Sequence, residues 1–346
     1  MIPTITPEWL TDRLRKHGAL TTGHVTGILP GTAGCDALLP FQVLYSPDTP
    51  ASAPPSLLVK TNLKGDHYGR VEVRLYRDIL ENEPDPPVPP TFDIGLDEST
   101  GHSYLLQQDL TDTHHPAVND DHPPTIESLG AIIDQIARVH ALCWNRPMIE
   151  EPCFLSPRQD ITDMCLAGSR ENLHASITPI IDRKLQTIFK SSELDPALKE
   201  TCEAAMHAWP DLYTDRISEG NLTLIHGDLH PWNVFVPNDG GGPPLIFDWE
   251  LFCRGLGVYD VSYLIIRCRL PPQARQRFEE ALIPRYHDRV TDLGVDGYSL
   301  ETCRRDYRLS IIPNILPPLA WQRPHNLIST MEAFRDWECA DLFDGA

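Results

Sequence analysis

The stretch LIHGDLHPWNVFV, Leu224–Val236, sets one aspartate, Asp228, among two histidines, a tryptophan and an asparagine, between two apolar strand-like runs. Three chemistries compete for such a segment. Histidines four apart, His226 and His230, would share a face of a helix and hold zinc. Gly227 between them and Pro231 after them oppose that helix, and the zincin pattern needs a glutamate where Gly227 stands. A polar turn whose Asp and Asn bond only the backbone is the second reading. The third comes from spacing: Asn233 follows Asp228 at +5, and Asp248, in LIFDWE, follows fifteen residues later. Strand NVFVP, turn NDGGGPP and strand LIFD read as a hairpin that brings Asn233 near Asp248. An amide oxygen and a carboxylate suit magnesium, with phosphates and water completing its shell, and Asp228 is left to accept a proton.

On these residues the chain resembles the aminoglycoside phosphotransferase and choline-kinase-like superfamily, relatives of the protein kinases, whose catalytic loop reads His-x-Asp-x-x-x-x-Asn. HGDLHPWNV fits it position by position. The resemblance implies that Asp228 is the catalytic base, that Asn233 and Asp248 hold Mg²⁺, and that His226 braces the loop. Asp248-Trp249-Glu250 stands where protein kinases carry Asp-Phe-Gly, a form typical of the small-molecule branch. GLGVYDVSYLI resembles the segment that follows the metal aspartate, with Asp260 buttressing the catalytic loop. LLQQDL resembles the hinge, which puts Gln107 and Gln108 beside the nucleotide, with Gln108 replacing the usual glutamate. IARVHALCWN resembles a family helix in which His140 is a packed residue.

The nucleotide also needs cations. Lys60 closes the apolar strand LLVK as the family's phosphate-binding lysine does, and Glu72, in VEVRLYRDI, matches its Glu-x-x-x-Tyr helix and gives Lys60 a partner. A strand-end lysine facing water is the competing reading, and Lys64 is the rival lysine. Gly31 and Gly34 in PGTAGCDA sit between the first two strands, where backbone amides would cover phosphates or simply turn a hairpin.

The rest of the chain organises around this. A helix over TPEWLTDRLRKHG, capped by Thr6, leads into strands GHVTGILPG, DALLPFQVLYS and SLLVKTN. A helix at RVEVRLYRDIL and a strand at SYLLQQ follow. Beyond Gln107 the pattern turns helical: TIESLGAIIDQIARVHALCWN places Leu129, Ile132, Ile133, Ile136 and His140 on one stripe, and further helices read at RENLHASITPIIDRKLQTIFK, PALKETCEAAMHAWPDLY and Pro271–Asp341. The expected fold is α+β and two-lobed, protein-kinase-like. Residues 1–106 form a nucleotide-binding lobe with a small antiparallel sheet and one helix, and residues 107–346 form a larger, mainly helical lobe.

The length of 346 residues accommodates two such lobes. A net charge of −20 argues against nucleic acid or an anionic membrane as partner, since both require basic surfaces. The nine scattered cysteines lack a Cys-x-x-Cys pair, no apolar run approaches the ~20 residues that span a bilayer, and the N-terminus has no secretory pattern, so a cytoplasmic monomer or homodimer is expected. The 33 prolines predict stiff loops.

The resulting expectation is an enzyme that moves the γ-phosphate of ATP, with Mg²⁺, onto a small-molecule hydroxyl. The alternative is a non-catalytic kinase-like nucleotide-binding protein. Two acceptor classes stand open. A cationic antibiotic or amino alcohol fits the acidic balance, with Glu250 and DWECADLFD as ammonium partners. An apolar steroid, macrolide or polyol natural product fits HALCWN and NILPPLAWQ, which resemble ecdysteroid-kinase-like members.

Overall fold

The computed structural model describes residues 3–31, 37–65, 67–151, 182–183, 186, 195–320 and 323–343. Gly34 and most of the helix expected at RENLHASITPIIDRKLQTIFK lie outside the described residues. The chain divides into two compact units, Met1–His115 with Phe235–Glu250, and Pro116–Val234 with Leu251–Ala346.

The first unit is built on a five-stranded antiparallel sheet. Its strands are β1 (Val25–Pro30), β2 (Leu38–Tyr45), β3 (Ser56–Asn62), β4 (Thr91–Leu96) and β5 (Ser103–Gln108), in the order β1-β2-β3-β5-β4. Helix α1 (Pro7–Lys16) starts where Thr6 Oγ1 accepts the amide of Trp9, with proline in the first turn. Leu10 and Leu14, four apart and fully buried, meet Leu57 and Val59 of β3 together with Phe41, Val43 and Leu106. Burying each such side chain contributes about 1.5–3 kcal/mol. Because a strand alternates its faces, Leu57, Val59 and Thr61 bury toward this core while Lys60 points to the other side. There runs α2 (His67–Arg74), which buries Val71 and Val73 and continues as a π-helical turn over Leu75–Ile79. The helix expected here is thus present but widens at its end. Strand β4 was not foreseen, since it follows a proline-rich run and is short. A hairpin of Val234–Pro237 and Leu245–Ile246 does form, and His114–Pro116 joins it as a third strand.

The second unit is mainly helical, with a two-stranded ladder of Thr223–Ile225 and Cys253–Gly255. Helix α3 (Ile126–Cys143) opens with a capping box between Thr125 and Ser128, and its predicted stripe Leu129, Ile132, Ile133, Ile136 and His140 is fully buried. Then come α4 (Pro196–Ile217), α5 (Val258–Arg267), α6 (Pro272–Asp292), α7 (Leu300–Ile311), α8 (Leu316–Ala320) and α9 (Pro324–Asp336). Helix α5 is buried all round, as expected of the central helix of a bundle. Arg216 of α4 is held by both carboxylate oxygens of Asp306 on α7, at 2.5 and 2.7 Å, and Tyr298 donates to the same aspartate at 3.0 Å. No helix among the described residues is long and apolar enough to cross a membrane.

Candidate active site

In the first unit Lys60 is the centre of a charge cluster. Its Nζ lies 2.9 Å from Glu72 Oε1, 2.7 Å from Asp248 Oδ1 and 3.2 Å from Glu250 Oε1. Burial works against the ammonium most strongly, but Glu72, Asp248 and Glu250 together outweigh it and hold Lys60 protonated well above the usual lysine range. Burial pushes the Glu72 carboxyl up to about 7, opposed by Lys60 and reinforced by the two neighbouring carboxylates. Glu72 Oε1 also receives the backbone amide of Trp249 at 3.2 Å. Trp249 itself is fully buried, and its indole N–H donates to Ile246 O at 3.0 Å. Asp248 adopts φ +65, and its side chain is 44 % exposed. Lys64, the rival lysine, is exposed.

The other residues of the first unit expected beside a nucleotide are placed as follows. Gly31 donates its amide to Pro40 O at 2.9 Å, and a Cβ there would sit 2.7 Å from that oxygen, so strand pairing accounts for this glycine. Gln107 is buried and its side chain turns inward, donating to Tyr76 Oη at 3.0 Å and Thr91 Oγ1 at 3.1 Å. Gln108 donates its amide to Pro90 O at 2.9 Å.

In the second unit one buried carboxylate organises the loop around Asp228. Asp260, in the first turn of α5, accepts the amides of His226 at 2.7 Å and Gly227 at 3.0 Å, and also meets His140 Nε2 at 3.1 Å. The second ring nitrogen of His140 meets the Tyr286 hydroxyl at 2.9 Å, so His140 is a buried, bonded core residue on α3. Gly227 sits at φ +81, where an added Cβ would meet Leu251 O at 2.6 Å. Fully buried His226 braces the turn by accepting the Asp228 amide on Nδ1 at 3.2 Å. Asn233 donates Nδ2 to Asp228 O at 3.1 Å. His230 Nε2 stands 3.6 Å from an Asp228 oxygen and packs edge-on against Trp232. Trp232 is 41 % exposed and carries the Arg269 guanidinium 5.4 Å from its ring centre.

Two features of the cluster around Lys60 had no clear sequence signal: the Trp249 amide on Glu72, and Glu250 as third carboxylate on Lys60. Both follow from a local turn that only the tertiary structure specifies.

The fold is α+β, two-lobed and kinase-like. It is similar to the choline kinase of Cryptosporidium parvum Iowa II, with 11 % identity over 96 % of this chain and 94 % of that one and a TM-score of 0.51. Similarity also extends to a GDP complex of aminoglycoside 2'-phosphotransferase-IIIa (13 % identity, 97 % and 100 % covered, TM-score 0.47). A third similar structure is an aminoglycoside phosphotransferase of Streptomyces rimosus in complex with ADP and streptomycin (16 % identity, 87 % and 99 % covered, TM-score 0.44). No curated protein matches the chain in sequence. Residues 67–293 match the model of the phosphotransferase enzyme family, and the chain belongs to that family. Its class is therefore that of a phosphotransferase with an alcohol group as acceptor, acting on small molecules. The match begins after Lys60, so the family model does not bear on this lysine.

Proposed function

We propose that this phosphotransferase moves the γ-phosphate of ATP to a hydroxyl of an antibiotic or other natural product or amino alcohol, with Asp228 as base and Lys60 on the phosphates. The observation that carries the nucleotide half is the reach of one strand lysine to Glu72 and Asp248, residues 12 and 188 positions away. A buried, paired ammonium is a fixed positive charge, and phosphoryl transfer is accelerated mainly by such fixed charge and by alignment.

Each of the two expected donors is of the kind Mg²⁺ takes. Asn233 would offer Oδ1 and Asp248 its half-exposed carboxylate, both hard oxygens. Mg²⁺ characteristically takes one or two carboxylates and completes its shell from phosphates and water. When bound, the ion supplies neutralisation of phosphate charge. Glu72 orients Lys60, and Gln107 and Gln108 border the nucleotide at the end of β5. Asp228, held by the Asp260-anchored turn, takes the hydroxyl proton.

For the acceptor, the exposed face next to Asp228 favours an apolar ring over a polycation. Trp232 offers a flat aromatic surface, and Arg269 stacked on it places a positive charge where an ammonium group would have to approach. Macrolides, nucleoside antibiotics and sterols are therefore the first acceptors to screen, with aminoglycosides and choline-like alcohols as the contrast. The test of the central reading is Asp228→Asn, which should keep Mg·ATP binding and lose about 10²–10⁴-fold in turnover. Near-parental turnover by that variant refutes it, and ATP binding without turnover in the parent protein favours a non-catalytic role.

A further inference from the structure

Apart from the cluster around Lys60, the first unit holds a cavity of about 350 Å³ lined by the end of α1, the π-helical turn after α2 and strand β4. Leu80, Val88 and Ile94 give it an apolar wall. Charges of both signs line it from different elements: Lys16 is the last residue of α1, and Glu81 and Glu83 follow the π-helical turn. None of these three makes an ion pair with another described residue, whereas Arg77 and Asp93, also at the cavity, are engaged by Asp78 and by Tyr104 and Arg13. His17 beside Lys16 is held below the usual histidine range, by burial first and then by Lys16, so it adds no positive charge at neutral pH.

Tyr76, 6 % exposed, also lines this cavity. Gln107 Nε2 donates to Tyr76 Oη at 3.0 Å and to Thr91 Oγ1 at 3.1 Å, and Thr91 in turn donates to Pro89 O at 2.9 Å. The Tyr76 hydroxyl thus receives a proton but has no acceptor for its own among the described residues. Burial raises the phenol well above its ordinary range, so it stays a donor. A buried donor without an acceptor is destabilising, and an oxygen supplied from the cavity relieves it. Tyr76 lies four residues after Glu72 on one helix, and the two make polar pins to one face of the sheet. Glu72 holds Lys60 of β3, and Tyr76 holds Gln107 of β5, which pairs with Leu58, two residues before Lys60. The helix widens into its π turn between these pins, an irregularity that recurs at functional sites.

We infer that this cavity is a regulatory binding site for a small zwitterion with an apolar body, the chemistry of a free α-amino acid with a large apolar side chain. Lys16 and the Tyr76 O–H answer its carboxylate, Glu81 and Glu83 its ammonium, and Leu80, Val88 and Ile94 its side chain. Small-molecule sites span about 300–1,000 Å³, and a cavity at the small end of that range suits a ligand of this size. Occupancy is felt at Lys60, because a ligand that draws on Tyr76 draws on the helix that carries Glu72. The site is independent of Asp228, and only its link to ATP rests on the reading of Lys60 as a phosphate-binding residue.

The probe is L-phenylalanine, titrated into the full chain by isothermal calorimetry, with 3-phenylpropionate and L-phenylalaninamide as analogues that each keep one charge. Phenylalanine should bind saturably with a Kd below about 1 mM, and each analogue at least about tenfold more weakly. Tyr76→Phe, which removes the buried donor, should weaken phenylalanine about tenfold. Lys16→Met and Glu83→Gln, at positions open to solvent, should each weaken it about two- to fivefold and serve as the variants that spare the core. With phenylalanine saturating, the Kd for Mg·ATP should shift by at least about twofold. No saturation by phenylalanine, equal binding by either analogue, or parental affinity in both Lys16→Met and Glu83→Gln overturns the site. An unchanged Mg·ATP affinity overturns its link to Lys60. Failure of the parent protein to bind Mg·ATP without phenylalanine refutes the nucleotide reading and the link with it, while the phenylalanine titrations still decide the cavity.

Discussion

The backbone amide of Trp249 donates to the same oxygen of Glu72 that receives Lys60 Nζ, at 3.2 and 2.9 Å. Glu72 therefore ties α2 to the 248–250 turn as well as to β3. Glu72→Gln keeps the shape and one acceptor oxygen but removes the charge on which both donors converge. Charged hydrogen bonds are worth about 1.5–3 kcal/mol, so kcat/KM for ATP should fall about 10- to 150-fold. Steady-state kinetics against ATP concentration checks this, and a change below twofold would mean that the pair has no catalytic use.

Asp260 serves two amides and His140 from a fully buried position. Asp260→Asn turns one acceptor into a donor facing N–H groups and leaves at least one of them unpaired. The expected loss is about 3 kcal/mol of unfolding free energy, together with turnover. Urea unfolding monitored by circular dichroism reads the first quantity, and an unchanged midpoint would count against the assignment.

Gly227 is needed for its backbone rather than for its lack of bulk alone. At φ +81 a side chain costs about 1–2 kcal/mol, and a Cβ 2.6 Å from Leu251 O adds a backbone clash. Gly227→Ala should lower the melting temperature and abolish turnover. Gly240→Ala is the control: it is also at positive φ, +66, but with open space around it, so only the conformational cost applies.

Burial pushes the thiols of Cys143, Cys202, Cys303 and Cys339 up to about 12 from the usual 9.0. Unfolded thiols ionise near 9, while the folded ones keep their protons. Above that pH the unfolded state binds fewer protons, so stability is intact below about 9 and declines as pH rises toward 12. Thermal melts from pH 7 to 11 should show this decline. Site-resolved iodoacetamide labelling at pH 8 should spare these four cysteines in the native protein and modify them in urea. Rapid native labelling would contradict the burial.

Long periodic elements were the legible part of the fold. The stripe of α3 and the Thr125 cap lie in consecutive residues, and local pattern suffices for them. The 3.6-residue period on Val71, Leu75 and Ile79 predicted a helix, but not the π turn at its end, where Tyr76 meets Gln107 of β5. Strand β4 escaped because its lead-in PDPPVPP reads as a break and its six residues, TFDIGL, hold little alternation. Within the candidate site, side-chain types at fixed spacing named Asp228, Asn233 and Asp248, and family resemblance named Lys60 and Glu72. Contacts through a backbone amide, as at Trp249, leave no mark of residue type or spacing.

The φ of +65 at Asp248 narrows the alphabet available there. Glycine, asparagine and aspartate are the residues that adopt this region readily, and aspartate alone among them brings a negative charge. Conformation and chemistry thus select the same amino acid at 248. Asparagine is the replacement that removes the charge while leaving the peptide in its accustomed geometry.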